Sequence, residues 1–147
     1  MKSVLDQDTR TEIINRITAI DKKSMAKWGK MNVGQMVKHC ALCEELYLGK
    51  VKVKRVLIGR IFGRLALKKV VNNDKPLGKN SPTAAILIVS EEIEDIESQK
   101  QKWISLLKEY ETYNGHFVHP FFGKMTKEEL GRLAYKHCDH HLRQFGF

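Results

Sequence analysis

No run in this sequence is long and apolar enough to cross a bilayer. The longest uninterrupted one covers residues 84–89, where a spanning helix needs about 20. The N-terminus, Met1-Lys-Ser-Val-Leu-Asp, carries no apolar h-region, so no signal peptide is expected. Cysteine is scarce and odd in number: Cys40, Cys43 and Cys138 do not suggest a disulfide scaffold. Internal repeats and low-complexity segments are missing as well. These absences leave a cytoplasmic globular protein, and 147 residues suit a single domain over 1–147 with a real core.

Acid is missing from one long stretch. Residues 50–79 hold ten Lys/Arg against Asp74 alone, so they carry the whole net charge of +9 and the rest of the chain is neutral. A basic stretch can mark nucleic-acid binding. This one lacks the interleaved aromatics of a single-strand platform, and no helix-turn-helix pattern appears. A solvated basic face is the simpler reading, and nucleic acid is not the favoured partner.

What the chain does contain is most legible at its end. Thr126 and Glu129 form a capping box, Met125 and Leu130 a hydrophobic staple, and Gly146 a C-terminal stop. Between them Leu130, Leu133, Ala134, His137, His141 and Phe145 share one helical face. Two imidazoles one turn apart on an apolar stripe compete for the same partners, or repel if protonated. A divalent metal resolves that conflict, because i, i+4 spacing aims both rings at one point. The alternative is a pair of core histidines served by Tyr or backbone groups. His140 falls on the flank of the stripe, where a supporting or solvent role suits it.

Earlier in the chain, Ile13, Ile14, Ile17 and Ile20 predict a first helix over residues 8–20, opened by Asp6 or Asp8. Trp28 is expected to anchor the connector that follows. Asn32 with Gln35 opens a second helix to about Leu48, stopped by Gly49, with His39 towards one edge of its apolar side. Residues 55–71 are expected to be helical without one clean apolar face, Gly59 and Gly63 permitting close packing. Residues 72–82 read as irregular. Residues 84–89 read as a buried run, extended or helical. From Ser90 as N-cap, a helix of about 23 residues (about 35 Å) is expected, its seam interrupted by Lys100. Residues 114–125 then turn the chain into the last helix. The fold expected is all-α, a four-helix bundle with a long, partly helical basic crossover between its second and third helices.

His39 is the natural third ligand, since three neutral imidazoles on facing helices leave a divalent ion an open position. The cysteines offer a rival thiolate site at His39-Cys40-x-x-Cys43 and His137-Cys138, but mid-helix cysteines among apolar residues usually act as small hydrophobes. His116 and His119 read as surface or packing residues, with a place for His119 at the rim of the site. Asp139 could orient a neighbour, although a solvated carboxylate is simpler.

The pattern Trp28-Gly-Lys-Met-Asn-Val-Gly-Gln-Met-Val-Lys-His39, then His119-Pro-Phe-Phe-Gly-Lys-Met-Thr126 and His137-x-x-x-His141-Leu-x-Gln-Phe, resembles the DinB/YfiT-like superfamily. More narrowly it resembles a branch recorded as a domain of unknown function. The resemblance implies an up-down-down-up bundle, often dimeric, with Zn²⁺ or Ni²⁺ on His39, His137 and His141. It also implies chemistry on a small-molecule substrate, among relatives that include transferases using low-molecular-weight thiols. The expectation is therefore a metal-dependent hydrolase or thiol transferase, with Tyr47 and His140 as candidates for a base. The competing expectation is a binding module whose basic crossover meets an anionic partner.

Overall fold

The computed structural model describes residues 1–79 and 84–147. The chain is mostly helical: α1 Gln7–Thr18, α2 Val33–Tyr47, α3 Leu57–Val71, α4 Ile96–Lys108 and α5 Lys127–Phe145, with a small hairpin of β1 Phe117–His119 and β2 Gly123–Met125. Helix α2 packs on α4 and α5, α1 packs on the same two, and α3 lies against α5 and β2. One hydrophobic core joins them, built on Ile13, Ile17, Met36, Leu67, Trp103, Leu107, Leu130 and Leu142.

The expected start signals operate at three helices. Asp6 caps α1 by accepting from the Thr9 amide at 3.1 Å. Reciprocal capping boxes open α2 (Asn32 and Gln35) and α5 (Thr126 and Glu129). Gly59 and Gly63 do permit close packing, because a Cβ at either would strike the Phe121 carbonyl. That bare edge lets α3 lie against the hairpin loop.

Three expectations are corrected. The fourth helix is 13 residues, not about 23, and its N-cap is Asp95, which accepts from the Ser98 amide at 2.9 Å. The preceding residues are held by α2 instead: the Ser90 carbonyl accepts from Gln35 Nε2, Glu91 pairs with Lys38 at 2.6 Å, and Ile93 packs on Gly34. Residues 84–89 are not buried as a run. They form one 3₁₀ turn, Ala85–Leu87, with Ile86 and Ile88 exposed and Val89 buried. Residues 117–125 form an antiparallel hairpin in the register Phe117↔Met125, a strand pair too short for its pattern to register. Of the irregular stretch expected over 72–82, residues 80–82 lie outside the described residues.

Lys100, which seemed to interrupt the α4 seam, has a structural use. Its buried ammonium donates to the Thr18 and Ile20 carbonyls at 3.0 and 2.9 Å, capping the end of α1. Cations at a helix C-terminus satisfy orphan carbonyls and the helix dipole together.

Candidate metal centre

The capped helices α2 and α5 carry His39, His137 and His141 to one place. Ring centroids stand 5.2 Å apart for His39–His137, 4.9 Å for His39–His141 and 4.7 Å for His137–His141. His39 and His141 are buried, while His137 keeps some solvent contact. Burial is the first cause of the depressed basicity of all three, followed at His137 and His141 by the neighbouring imidazoles. His141 falls to about 3, so the cluster is neutral at pH 7.

Two of the rings are held by their outer nitrogens. His39 Nδ1 lies 2.8 Å from the Leu87 carbonyl, which can only accept. His39 therefore carries its proton on Nδ1 and presents a bare Nε2. Gln144 donates its amide to the Trp28 carbonyl at 2.7 Å, which turns its Oε1 towards His141 Nδ1 at 2.8 Å. His141 is thus also protonated on Nδ1, with Nε2 bare. Metal-binding histidines are ordinarily fixed this way, through an acceptor on the remote N–H. Gly29 makes the Gln144 contact possible: its φ is +84°, and a Cβ there would collide with Gln144 Nε2.

His137 tests whether the cluster fits an ion. Its Nε2 stands 3.2 Å from His39 Nε2, and among the described residues its buried Nδ1 has no hydrogen-bond partner. If Nε2 carries the proton, it donates to His39 and leaves the Nδ1 lone pair orphaned. If Nδ1 carries it, two lone pairs face each other across the short contact. Either state lacks a positive group, and a divalent ion is one. Two nitrogens each about 2.0–2.1 Å from a tetrahedral ion stand about 3.3 Å apart, close to the spacing found.

Thiols enter the cluster more closely than their apolar surroundings implied. Cys43 Sγ lies 3.7 Å from His39 Nε2. Among the described residues, the sets of potential ligand atoms lying within 4.8 Å of one another are His39, Cys43 and His137, and Cys40, His137 and His141; the three histidines together are not one of these sets. All three cysteines are buried free thiols, and burial raises the pKa of each.

The other expected site residues lie around this centre. Tyr47 is buried with its ring edge-on to His137 at 6.0 Å. His140 is half-buried, edge-on to His141 at 5.0 Å and to Trp28 at 5.9 Å. His119 stands one ring further out, 6.1 Å from Tyr47. Its Nδ1 accepts from the Phe121 and Phe122 amides, so it ties the hairpin loop, and burial takes its pKa to about 4. Asp139 pairs with Arg16 at 3.0 Å instead of serving His140. His116 is exposed.

Glu44 was missed by sequence reasoning. It is fully buried on α2, accepting from Tyr110 Oη at 2.6 Å and from Cys138 Sγ at 3.2 Å. Burial raises its pKa to about 7, although both hydrogen bonds oppose the rise. Its position among the inward residues of α2 was the available signal.

Fold and site together define a mostly helical protein whose buried His/Cys groups can hold a metal ion. The chain belongs to the family described as Protein of unknown function (DUF1569), which matches residues 1–146. No curated protein and no solved structure matches it. Among the described residues, no helix is long and apolar enough to cross a membrane.

Proposed function

We propose that this protein is a divalent-metal enzyme of the DinB/YfiT type, with His39, His137 and His141 holding Zn²⁺ or Ni²⁺. The observation that carries the reading is the pair of remote acceptors, Leu87 carbonyl and Gln144 Oε1, which leave Nε2 bare on His39 and His141. On this reading α1, α2, α4 and α5 form the up-down-down-up bundle, and their mutual packing supports it. A bound divalent ion supplies Lewis acidity, which lowers the pKa of a water or thiol nucleophile near neutral pH.

The chain's own residues do the rest. Leu87 and Gln144 orient the ligand rings, and the buried walls of α2 and α5 exclude bulk water. His137, half-buried where His39 and His141 are buried, marks the side from which a small-molecule substrate would approach. Glu44, with a pKa raised to about 7, can hold or release a proton at working pH, its carboxyl accepting from Tyr110 and Cys138. The three free thiols suit a reducing compartment such as the cytoplasm. Hydrolysis and thiol transfer are the reaction classes proposed.

Elemental analysis of protein purified without a histidine tag tests the reading. One divalent ion per chain is expected, lost on replacing any of the three histidines by Ala. Metal retained by all three variants, or lost in Cys43→Ala with the fold intact, would transfer the site to other ligands.

A further inference from the structure

The outward face of α3 is apolar. Leu57, Ile61 and Leu65 are 75%, 75% and 72% exposed, and Ile58 and Phe62 are 60% and 55% exposed. They follow i, i+4, i+8 spacing along one side, while Gly59, Gly63, Leu67 and Val71 fill the inward side. Isolated exposed apolar residues are ordinary, but five large ones on one helix face mark a contact surface.

The surroundings of this face identify what it meets. Lys68 and Lys69 close the helix, Arg60 and Arg64 flank it, and Lys50, Lys52, Lys54 and Arg55 lead into it. Arg64 is paired with Glu129 at 2.8 Å, whereas among the described residues Arg60, Lys68 and Lys69 have no ion-pair partner. On the flank opens a cavity of about 660 Å³, lined by Arg55, Arg60, Arg64, Lys124 and Lys127 among others. A second copy of the chain would set this collar of cations against an identical one. Nucleic acid would satisfy the cations but leave four aliphatic side chains facing phosphates. An anionic bilayer suits both features, because its acyl boundary accepts the apolar residues and its headgroups meet the cations.

We propose that α3 seats this protein on an anionic membrane surface, Leu57, Ile58, Ile61, Phe62 and Leu65 entering the headgroup boundary and the flanking Lys/Arg residues binding the phosphates. The helix lies in the plane of the surface and does not span it. This inference does not rest on the metal reading.

The test is sedimentation of the full chain with vesicles of phosphatidylcholine, and with vesicles of phosphatidylcholine and phosphatidylglycerol in equal parts. Binding to the anionic vesicles alone is expected. It should weaken as salt shortens the screening length from about 30 Å at 0.01 M to about 8 Å at 0.15 M. Lys68→Ala and Lys69→Ala should each lower partitioning about fivefold. Ile61→Asp and, independently, Leu65→Asp should lower it at least about tenfold, with circular dichroism and metal content unchanged. Failure to bind anionic vesicles at low salt overturns the proposal. So does binding that both aspartates leave intact, since diffuse charge would then suffice. A solution dimer that Ile61→Asp splits, without vesicle binding, gives the face to a second copy and also overturns it.

Discussion

Helices α5 and α3 depart from ordinary burial in opposite directions. On α5, imidazoles stand in the inward stripe beside Leu133 and Ala134. On α3, Leu57, Ile61 and Leu65 stand outward in solvent. A chain selected for stability alone would exchange these placements, since buried polar groups need partners and exposed apolar ones gain nothing. The two departures also differ in how they are supported. On α5 His141 is braced by Gln144, as His39 of α2 is by the Leu87 carbonyl, whereas the outward α3 side chains stand mostly in solvent. A rigid, prepared arrangement suits a site that must hold a small ion at fixed distance. A bare face suits a partner that adapts to it.

The comparison breaks most sharply at the three histidines. Replacing His39, His137 or His141 by Ala should weaken metal binding by orders of magnitude, while His116→Ala should not, by metal titration of the tag-free protein. Cys40→Ala and Cys138→Ser should keep the ion, at a stability cost of about 1–2 kcal/mol.

One step out, Gln144→Ala and Gly29→Ala should lower metal affinity about 10–100-fold by releasing the His141 ring. Unchanged affinity in both variants would show that the Gln144 link orients nothing.

Acid should act on the histidine side of the comparison only. His39, His119, His137, His140 and His141 all have pKa values below the usual 6.5, with burial the first cause, reaching about 4 at His119 and about 3 at His141. Their contribution to metal-free stability is fully present above pH 6.5 and declines as pH falls from 6.5 towards 4. The slope is about 1.4 kcal/mol per pH unit for each group that stays neutral. Glu44 has the opposite sign. Raised to about 7, it favours the fold below pH 4.5 and loses that contribution as pH rises to about 7. Several histidines against one carboxyl give a net loss on acidification. Urea midpoints that rise from pH 6.5 to pH 5 would contradict this.

The smallest effect belongs to α3. Ile61→Asp should change unfolding free energy by no more than about 0.5 kcal/mol and leave bound metal unaltered. A loss of several kcal/mol would mean that the outward face is packed after all.

Local signals made much of the architecture legible. Capping pairs at Asn32 and Thr126 marked the starts of α2 and α5, because a cap is chemistry within four residues. The stripe on α5 followed from periodicity alone. Distant contacts were not legible. Ser90 looked like a helix start until Gln35, Lys38 and Gly34 claimed residues 90–93. Lys100 looked like a flaw because the carbonyls of α1 that it caps lie 80 residues or more away. The convergence of His39 with His137 was suggested by family resemblance, and periodicity could not have supplied it. Glu44 escaped notice because an acid in an apolar pattern is ordinarily turned outward.

The link between Gln144 and the connector carries a kinetic consequence. Gln144 is tied there twice, its side chain donating to the Trp28 carbonyl at 2.7 Å and its own carbonyl accepting from the Lys27 amide at 2.7 Å. When that short segment lifts away, His141 loses its brace at the same moment. The lifetime of an ion in the cluster would then be governed by how often a surface loop opens, not by the strength of its coordinate bonds. Amide hydrogen exchange at Lys27 reads that opening directly, and its rate and the metal's exit rate should rise and fall together.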